Sequence, residues 1–307
     1  MLLTGVIPAN ILPFDDDLQI DEAAYRDHLS SLVEVDGVDG VTCNGHAAEV
    51  SSLDHAERQR ALRIAVETVA GRVPVISGLF AGDEADALDQ ARIAADTGAD
   101  ALLVFPPEFF RYSDDPDLPR QYFAMLAKEV PIPLVAFMYP AFTGMTYLPE
   151  QLEAICAVDS VVAVKDWSLD IAGYERNLEI AHSAPHAVSL LSSFSTHLLP
   201  SLAVGADGIL SGHGSVIAPL QVELFRAVRE GDLETSRRVY ARIQHLTRVI
   251  YRDPMPNMYS RMKEQLVMLG ASMTAKVRAP LRGVSDDERS SLRLALEAAD
   301  LLPAKVG

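Results

Sequence analysis

Eight short apolar runs, each followed by a segment with helical periodicity, occupy the first two-thirds of this chain. Near-continuous apolar strands that alternate with helices indicate a parallel sheet with both faces covered, because each helix is the crossover between two parallel strands. Eight such units close most economically into a (β/α)₈ barrel, the TIM barrel of the α/β class. The predicted strands are Thr4–Ile11, Asp39–Asn44, Val73–Leu79, Ala101–Pro106, Leu134–Tyr139, Val161–Asp166, Ala187–Ser192 and Gly208–Ser211.

The segments between these runs have the features of amphipathic helices. "DEAAYRDHLSSLVEV" from Asp21 and "DEADALDQARIAADTGA" from Asp83 place acidic residues in the first turn, where the helix dipole favours negative charge. A doubly wound open sheet is the structural alternative. Against it, the first strand leads into "GVIPANILPFDDD" rather than the Gly-x-Gly-x-x-Gly turn of a dinucleotide-binding fold.

The last third of the chain has a different pattern. From about Pro219 the strand signal stops and the sequence becomes helical, and no Gly/Ser-rich linker or charge block separates this part from the rest. We therefore predict a barrel over residues 1–218 and a C-terminal helical extension over residues 219–307 that packs on the barrel as one structural unit.

Composition narrows the class of function. The 43 acidic and 26 basic residues give a formal charge of −17, which argues against nucleic acid or an anionic membrane surface as a partner. No apolar stretch reaches membrane-spanning length without a charge, Gly or Pro. The two cysteines are too few for a disulfide framework, and the first residues lack the pattern of a signal peptide. We expect a globular protein of the cytoplasm.

The sixth predicted strand ends on a lysine. Four apolar residues lead into Lys165 in "SVVAVKDWS", and active sites of TIM barrels lie at the carboxyl ends of the strands. One interpretation is a lysine whose stem packs on the strand while its amine reaches solvent. The other is an amine inside the barrel mouth, where burial lowers its pKa and leaves free amine to attack a carbonyl and form a Schiff base.

Several motifs, in the right order along nearly the whole chain, resemble the pyruvate-dependent class I aldolases, the family of dihydrodipicolinate synthase and N-acetylneuraminate lyase. They are "GVIPANILPFDDDLQIDEAAYRDHL", "GVTCNGHAAEVSSLDHAER", "VVAVKDWS", "VGADGILSGHGSVIAP" and "MLGASMTAKVRAPL". The resemblance implies that Lys165 is the nucleophile, that the substrate is a small 2-oxo acid, and that no cofactor or metal is needed. It also implies a homodimer or homotetramer.

The loop after the second strand departs from the family motif. Gly45-His46-Ala47-Ala48-Glu49 lies over Gly-Thr-Thr-Gly-Glu, so both threonines are missing. The family binds the substrate carboxylate partly through backbone N–H groups of this loop, and Gly45 and Ala47 keep those donors. His46 replaces the threonine of the family's proton relay; it is predicted either to take over acid–base work or to be a structural loop histidine. Glu49 is predicted to brace the loop.

The fifth strand departs further. "AFMYPAFTG" lies over the family's Tyr-Asn-Val-Pro-x-Arg-Thr-Gly, so Phe137 takes the place of the catalytic tyrosine and Phe142 that of the arginine that pairs with a second substrate carboxylate. A phenyl ring cannot transfer a proton. Tyr139 lies two residues further along and on the same side of the strand, so it is the candidate acid–base residue, with a rim aromatic as the alternative.

Aromatic residues and a glycine-rich turn complete the candidate site. Around the fourth strand, Phe105, Phe109 and Phe110 are either packing residues or, with Phe137 and Phe142, an apolar pocket for the far end of the substrate. In the eighth strand, "GILSGHG" places Leu210 against the pyruvate position and His213 at the mouth. A glycine-rich eighth loop also binds phosphate in some barrels, which leaves a phosphorylated substrate open.

These observations predict a Schiff-base-forming lyase, an aldolase or a dehydratase/hydratase-aldolase, that acts on pyruvate or another 2-oxo acid. The missing tyrosine and arginine argue against the dihydrodipicolinate synthase of lysine biosynthesis. Two alternatives stay open: a 2-oxo-acid-binding protein without turnover, and a barrel enzyme for a phosphorylated ligand that uses Lys165 only as a cation.

Overall fold

The computed structural model describes residues 2–113 and 115–303, and it confirms the predicted barrel. Eight parallel strands follow one another around the ring in the order β1-β8-β7-β6-β5-β4-β3-β2, and bridges from Val6 to Val38 and from Ala9 to Thr42 join β1 to the β2 side. The strands are β1 Gly5–Pro8, β2 Val41–Cys43, β3 Val75–Leu79, β4 Ala101–Val104, β5 Leu134–Met138, β6 Val161–Asp166, β7 Ser189–Ser192 and β8 Gly208–Ser211.

Eleven helices pack around and over this ring within the described ranges. Eight of them follow the strands in turn, and three more form the C-terminal extension. They are α1 Glu22–Val33, α2 His55–Val69, α3 Glu84–Thr97, α4 Leu118–Glu129, α5 Pro149–Cys156, α6 Ile171–His182, α7 Leu198–Ala203, α8 Gly214–Arg229, α9 Leu233–Ile250, α10 Met258–Met268 and α11 Asp286–Ala298.

Side-chain caps explain where the predicted helices begin. The Asp21 carboxylate accepts a hydrogen bond from the Ala24 N–H at 3.0 Å, and Asp83 does the same for the Asp86 N–H at 2.8 Å. Each cap satisfies one of the backbone donors that a first helical turn leaves free, which stabilises the helix by about 1 kcal/mol. The acidic residues that began both predicted helices therefore lie at or beside the helix start.

The predicted division at residues 218 and 219 falls inside α8. The backbone of this helix departs from helical geometry at Ile217, with φ −123° and ψ 32°, two residues before Pro219. Pro219 has no N–H for a helical hydrogen bond, and its ring crowds the preceding turn, which accounts for the kink there. The division stays a prediction. Of the two predicted parts, Met1 and Asp114 of the barrel and Ala304–Gly307 of the extension lie outside the described residues.

Strand alternation creates two layers of core. Side chains such as Ile76, Leu103 and Leu191 fill the inside of the barrel, whereas neighbours such as Leu102 and Leu190 pack between the strands and the helices. Successive side chains of a strand point to opposite faces, so the first set faces the barrel axis and the second faces the helices. The core thus fixes which residues of each strand end can reach the barrel mouth.

Helix α10 of the extension lies over that mouth. Met258 and Met262 belong to the same apolar cluster as Ala47, Phe137 and Tyr139 of the barrel interior. The beginning of the helix is held by Arg261, whose buried guanidinium donates to the carbonyl oxygens of Ile250 at 2.9 Å and Arg252 at 2.6 Å. A helix that comes from the last fifth of the chain therefore covers the carboxyl ends of the strands.

Candidate active site

Lys165 lies on the inward face of β6, at the end of the strand. Its side chain is 4% exposed, and its Nζ lies 3.9 Å from the centre of the Phe137 ring on the neighbouring strand β5. Among the described residues, no carboxylate lies within ion-pair distance of this amine. Burial lowers the pKa of Lys165 to about 7, because the charged ammonium loses hydration that only the Phe137 ring face replaces. A large fraction of the amine is free at neutral pH.

The next residue, Asp166, faces the other way. Its carboxylate accepts hydrogen bonds from Asn177 Nδ2 and from the Ser168 N–H, each at 2.7 Å, on the helix side of the sheet. Because neighbouring residues of a strand point to opposite faces, this carboxylate does not pair with the Lys165 amine. The alternation therefore preserves the low pKa of the lysine, which an adjacent carboxylate would raise.

The loop after β2 forms a second wall. His46–Ala48 is a single 3₁₀ turn, and Glu49 after it has a left-handed backbone with φ 56°. The first N–H groups of such a turn have no partner within it, which leaves those of His46 and Ala47 available as donors. Ala47 lies beside Gly212 of the turn after β8, where an added Cβ would stand 3.3 Å from the Ala47 Cβ.

Buried charges hold this loop in place. Glu49 Oε1 lies 2.5 Å from Nζ of Lys263 on α10, and Glu49 Oε2 accepts a hydrogen bond from the Arg278 N–H at 2.9 Å. Lys263 also donates to the Lys276 carbonyl oxygen at 2.8 Å. Glu49 and Lys263 are both buried, so each charge depends on the other for compensation. These contacts are the brace that the sequence predicted for Glu49, and they connect the loop to the C-terminal extension.

His46 and Tyr139 form a hydrogen-bonded pair beside the lysine. The distance from His46 Nε2 to the Tyr139 hydroxyl is 2.5 Å, and the imidazole ring packs edge-on against Phe105 with ring centres 4.8 Å apart. Burial, with the nearby Lys165 charge, lowers the pKa of His46 to about 3, and burial raises the pKa of Tyr139 well above its ordinary value. Both groups are therefore neutral at neutral pH.

These walls line an open cavity of about 40 Å³. Its floor is Lys165 with Phe137, and its roof comes from Tyr251, just after α9, and from α10. The lining residues are Ala9, His46, Ala47, Phe137, Lys165, Trp167, Ser193, Gly212, Tyr251, Met258, Tyr259 and Met262. A reactive amine at the bottom of an apolar cavity, with backbone donors on one side, is an arrangement that fits a small carbonyl compound.

Four of the residues predicted from the sequence line this cavity together: Lys165, His46, Ala47 and Phe137. Tyr139 is not part of the lining; its hydroxyl instead forms a hydrogen bond with His46, which is.

Four other predicted substrate contacts lie outside the lining. Gly45 precedes the lining residues of its loop, and Leu210 faces inward within the barrel core. His213 is buried, with Nε2 3.4 Å from Gln265 Oε1. Phe142 is 73% exposed. It sits on the 3₁₀ turn Ala141–Thr143 beyond the end of β5, where strand alternation no longer directs a side chain inward.

The predicted aromatic pocket around the fourth strand is divided. Phe105 faces the inside of the barrel, with its ring centre 5.2 Å from that of Phe137. Phe109 and Phe110 instead pack against Tyr122 of α4, with ring centres 6.0 and 5.5 Å away. Of the two interpretations, packing applies to Phe109 and Phe110.

Several cavity residues were missed from the sequence. Trp167 follows Lys165 by two residues, so strand alternation could have found it. Tyr251, Met258, Tyr259 and Met262 come from the helical extension, and no local pattern marks them as part of a site. Their contribution depends on how α10 folds back over the barrel, which periodicity alone does not show.

The described residues lack two further kinds of feature. No group of three or more His, Cys, Asp or Glu side chains there is placed to hold a metal ion. Within the same ranges, none of the helices combines the length and the apolar character needed to span a bilayer.

Comparisons with known proteins place this geometry in context. Residues 2–299 match the model of the dihydrodipicolinate synthetase family. The chain is 34% identical over 309 residues to the 4-hydroxy-tetrahydrodipicolinate synthase of Methanopyrus kandleri, with 98% of both chains covered. It is 31% identical over 300 residues to an uncharacterized DapA-like lyase of Halobacterium salinarum, covering 98% of this chain and 95% of that one. The crystal structure of dihydrodipicolinate synthase from Thermotoga maritima superposes with a TM-score of 0.90 at 25% identity, covering 98% of this chain and all of that one.

Proposed function

This chain belongs to the dihydrodipicolinate synthetase family and is a class I carbon–carbon lyase. From that premise we propose that Lys165 forms a Schiff base with pyruvate or another 2-oxo acid. The observation that supports this most directly is the Lys165 amine itself: it faces the cavity, has no ion-pair partner among the described residues, and has a pKa lowered by burial to about 7. An amine in that state is a nucleophile at neutral pH.

The covalent step uses the free electron pair on Nζ. Nζ forms a bond to the ketone carbon of the 2-oxo acid. The ketone oxygen takes up two protons, one of them from the amine, and leaves as water, which gives an iminium ion. The positive nitrogen then accepts the electrons of a bond to C3 that breaks, either to hydrogen or to C4, and an enamine results. In the reverse direction the same enamine attacks an aldehyde.

The loop after β2 supplies the proposed carboxylate site. The N–H groups of His46 and Ala47 begin the 3₁₀ turn, and both residues line the cavity together with Lys165. A carboxylate held there would bring the ketone carbon to the amine, which raises the effective concentration of the reacting pair. Because the donors belong to the backbone, the loss of both threonine side chains does not remove them.

His46 and Tyr139 are the proposed proton-transfer pair. The imidazole faces the cavity, and the Tyr139 hydroxyl behind it fixes the ring through the 2.5 Å hydrogen bond. Cleavage of a bond to C3 and protonation of the enamine require protons to move to and from the substrate. We assign the contact with substrate to His46, and to Tyr139 the second position in the relay.

The proposed reaction differs from the condensation with aspartate semialdehyde in lysine biosynthesis. Phe137 replaces the family's catalytic tyrosine, and Phe142, in place of the arginine for a second carboxylate, points to solvent. No arginine lines the cavity within the described residues. We expect aspartate semialdehyde to be a poor acceptor, although relatives such as the Methanopyrus kandleri protein carry the name of that synthase. A condensation rate with aspartate semialdehyde as high as with an uncharged aldehyde would contradict this.

Reductive trapping tests the Schiff base. The protein is incubated with pyruvate and borohydride, digested, and analysed by mass spectrometry, and the reduced pyruvate adduct is expected on Lys165. Label on another lysine, or an unlabelled Lys165 at saturating pyruvate, would remove the proposed mechanism. Label on Lys165 without turnover on any member of a 2-oxo-acid panel would instead identify a binding protein.

A further inference from the structure

The cavity walls differ sharply in chemistry from one side to the other. Backbone donors and the Lys165 amine lie along the β2 loop and β6. The remaining walls are the indole of Trp167, the phenols of Tyr251 and Tyr259, and the thioethers of Met258 and Met262. These five side chains, which we call the apolar wall, come from the segment after β6, from the residue after α9, and from α10.

Within the described residues, Lys165 is the only lining side chain that can carry a full charge at neutral pH. His46 is neutral because its pKa lies near 3, and burial raises the pKa of Tyr251 to about 12. Burial also raises the pKa of Tyr259 above its ordinary value. Once Lys165 has formed an iminium on one carboxylate-bearing substrate, no cation remains to pair with a second anionic group. A second carboxylate or a phosphate would be desolvated without compensation.

The side chains of the apolar wall also suit contact with flat or branched hydrocarbon groups. Met258 and Met262 are 7% and 1% exposed and lie one turn apart on α10, so their thioethers project from the same face of the helix. The Trp167 ring lines the same cavity, with its centre 6.4 Å from that of Phe137 and tilted by 35°. Methionine sulfur packs favourably against aromatic rings, and flexible thioethers adapt to the shape of an apolar group.

We infer that the part of the substrate beyond the 2-oxo acid group is uncharged and apolar, aromatic or branched alkyl, and that Trp167, Met258 and Met262 recognise it. This inference rests on the proposed function, because Lys165 anchors the opposite end of the substrate. The helical extension, through α10, thereby determines which acceptor or cleavage product the barrel accepts.

A matched pair of 2-oxo acids tests the inference without any need for turnover. 2-Oxopentanoate and 2-oxoglutarate have the same five-carbon chain and differ by one terminal carboxylate, and 2-oxo-4-phenylbutanoate adds a ring. The readout is the concentration that half-saturates borohydride labelling of Lys165, followed by mass spectrometry. We expect 2-oxopentanoate and 2-oxo-4-phenylbutanoate to half-saturate at concentrations at least about tenfold below that of 2-oxoglutarate.

A positive charge placed on the apolar wall should change the relative half-saturating concentrations of the 2-oxo acids. Met258→Lys adds a cation near the far end of the substrate and is expected to bring 2-oxoglutarate to within about twofold of 2-oxopentanoate, or below it. Leu294→Lys is the matched control: Leu294 is 65% exposed on α11, and the same added charge there should leave the ratio unchanged.

The outcomes separate the two proposals. If no 2-oxo acid labels Lys165, the proposed function fails and this inference fails with it. If pyruvate labels Lys165 but wild-type protein is half-saturated by 2-oxoglutarate at a concentration equal to or below that for 2-oxopentanoate, only the inference is overturned. An equal change of the ratio in Met258→Lys and Leu294→Lys would also overturn the assignment to the apolar wall.

Discussion

The loop after β2 and the turns after β4 and β5 all lie at the barrel mouth, but the loop is buried and the turns are exposed. The loop after β2, Gly45–Glu49, is buried under α10 and tied to it by the ion pair between Glu49 and Lys263. The turns after β4 and β5 form an open rim, on which Tyr112 is 80% and Phe142 is 73% exposed. The rim turns contact each other through a hydrogen bond from Arg111 to the Thr143 carbonyl oxygen.

Both parts follow a strand end, and both depart from the family motif. The difference in burial between them therefore does not come from their position at a strand end. It comes from whether another segment of the chain packs over them. The covered loop keeps its backbone donors in place because a helix from far along the chain buries its carboxylate. The open rim has no such cover within the described residues. A residue must lie near a strand end to belong to the site. Whether the loop after that strand is part of the site then depends on whether the helical extension covers it.

The largest expected effect is on the covered side. Lys165→Arg keeps the positive charge but removes the nucleophilic amine, so labelling by pyruvate and borohydride and lyase turnover should both fall at least about 10³-fold. The rim variant Phe142→Ala should leave the half-saturating pyruvate concentration within about twofold, because Phe142 lies outside the cavity. Turnover that survives Lys165→Arg would favour a role for Lys165 as a cation only. An effect of Phe142→Ala as large as that of Lys165→Arg would show that the rim contributes to the site as much as the covered side does.

The next effect separates proton transfer from imine formation. Tyr139→Phe removes the hydroxyl that binds His46 Nε2, and turnover should fall about 10²- to 10⁴-fold, the range for loss of an acid–base group. Labelling of Lys165 should change much less, because attack by the amine depends on its free electron pair and on the carboxylate site. Steady-state turnover and labelling are measured on the same preparation. Equal losses in both would place Tyr139 in the binding of substrate rather than in the relay.

The brace on the covered loop predicts a loss of stability. Lys263→Met leaves the Glu49 carboxylate buried without its cation, and the free energy of unfolding should fall by about 3–5 kcal/mol. The exposed pair between Arg26 and Glu67 is the control, and Arg26→Met should cost about 0–1 kcal/mol. The double variant Glu49→Gln/Lys263→Met should recover part of the loss. Urea denaturation measures all three, and similar costs for Lys263→Met and Arg26→Met would show that the loop needs no brace.

The smallest effect is the pH dependence of labelling. The pKa of Lys165 is lowered to about 7, so the free amine increases as pH rises through that value and then reaches a plateau. The rate of labelling with cyanoborohydride should rise about tenfold between pH 6 and pH 8 and level off above pH 8. A lysine with an ordinary pKa would give a rate that rises about a hundredfold over the same interval without a plateau. Such a profile would mean that the amine is hydrated.

The sequence was sufficient to predict the barrel because the strand and helix signals are local and recur along the chain. Eight apolar runs and the helix starts at Asp21 and Asp83 depend on residues within a few positions of one another. The inward direction of Lys165 and Phe137 likewise follows from strand alternation, which also explains why Asp166 faces the helices. These features could be predicted because each depends on a short stretch of chain.

The roof of the site depends on contacts between distant segments. Met258 and Met262 read as ordinary apolar positions of an amphipathic helix, and nothing near them in sequence indicates that they face Lys165. Phe142 was expected beside the substrate because of its position in the motif, but the turn after Pro140 directs it to solvent. Tertiary packing determines both outcomes, and a periodic pattern carries no information about which surface a helix will cover.

The most direct measurement is a crystal structure after a pyruvate soak. The account predicts continuous electron density between Lys165 Nζ and the ketone carbon, with the carboxylate within hydrogen-bond distance of the Ala47 N–H. The methyl group is expected to point toward Trp167, Met258 and Met262, three members of the apolar wall. Pyruvate bound elsewhere, or bound in the cavity with separate density from Lys165, would contradict the central claim that this lysine is the nucleophile.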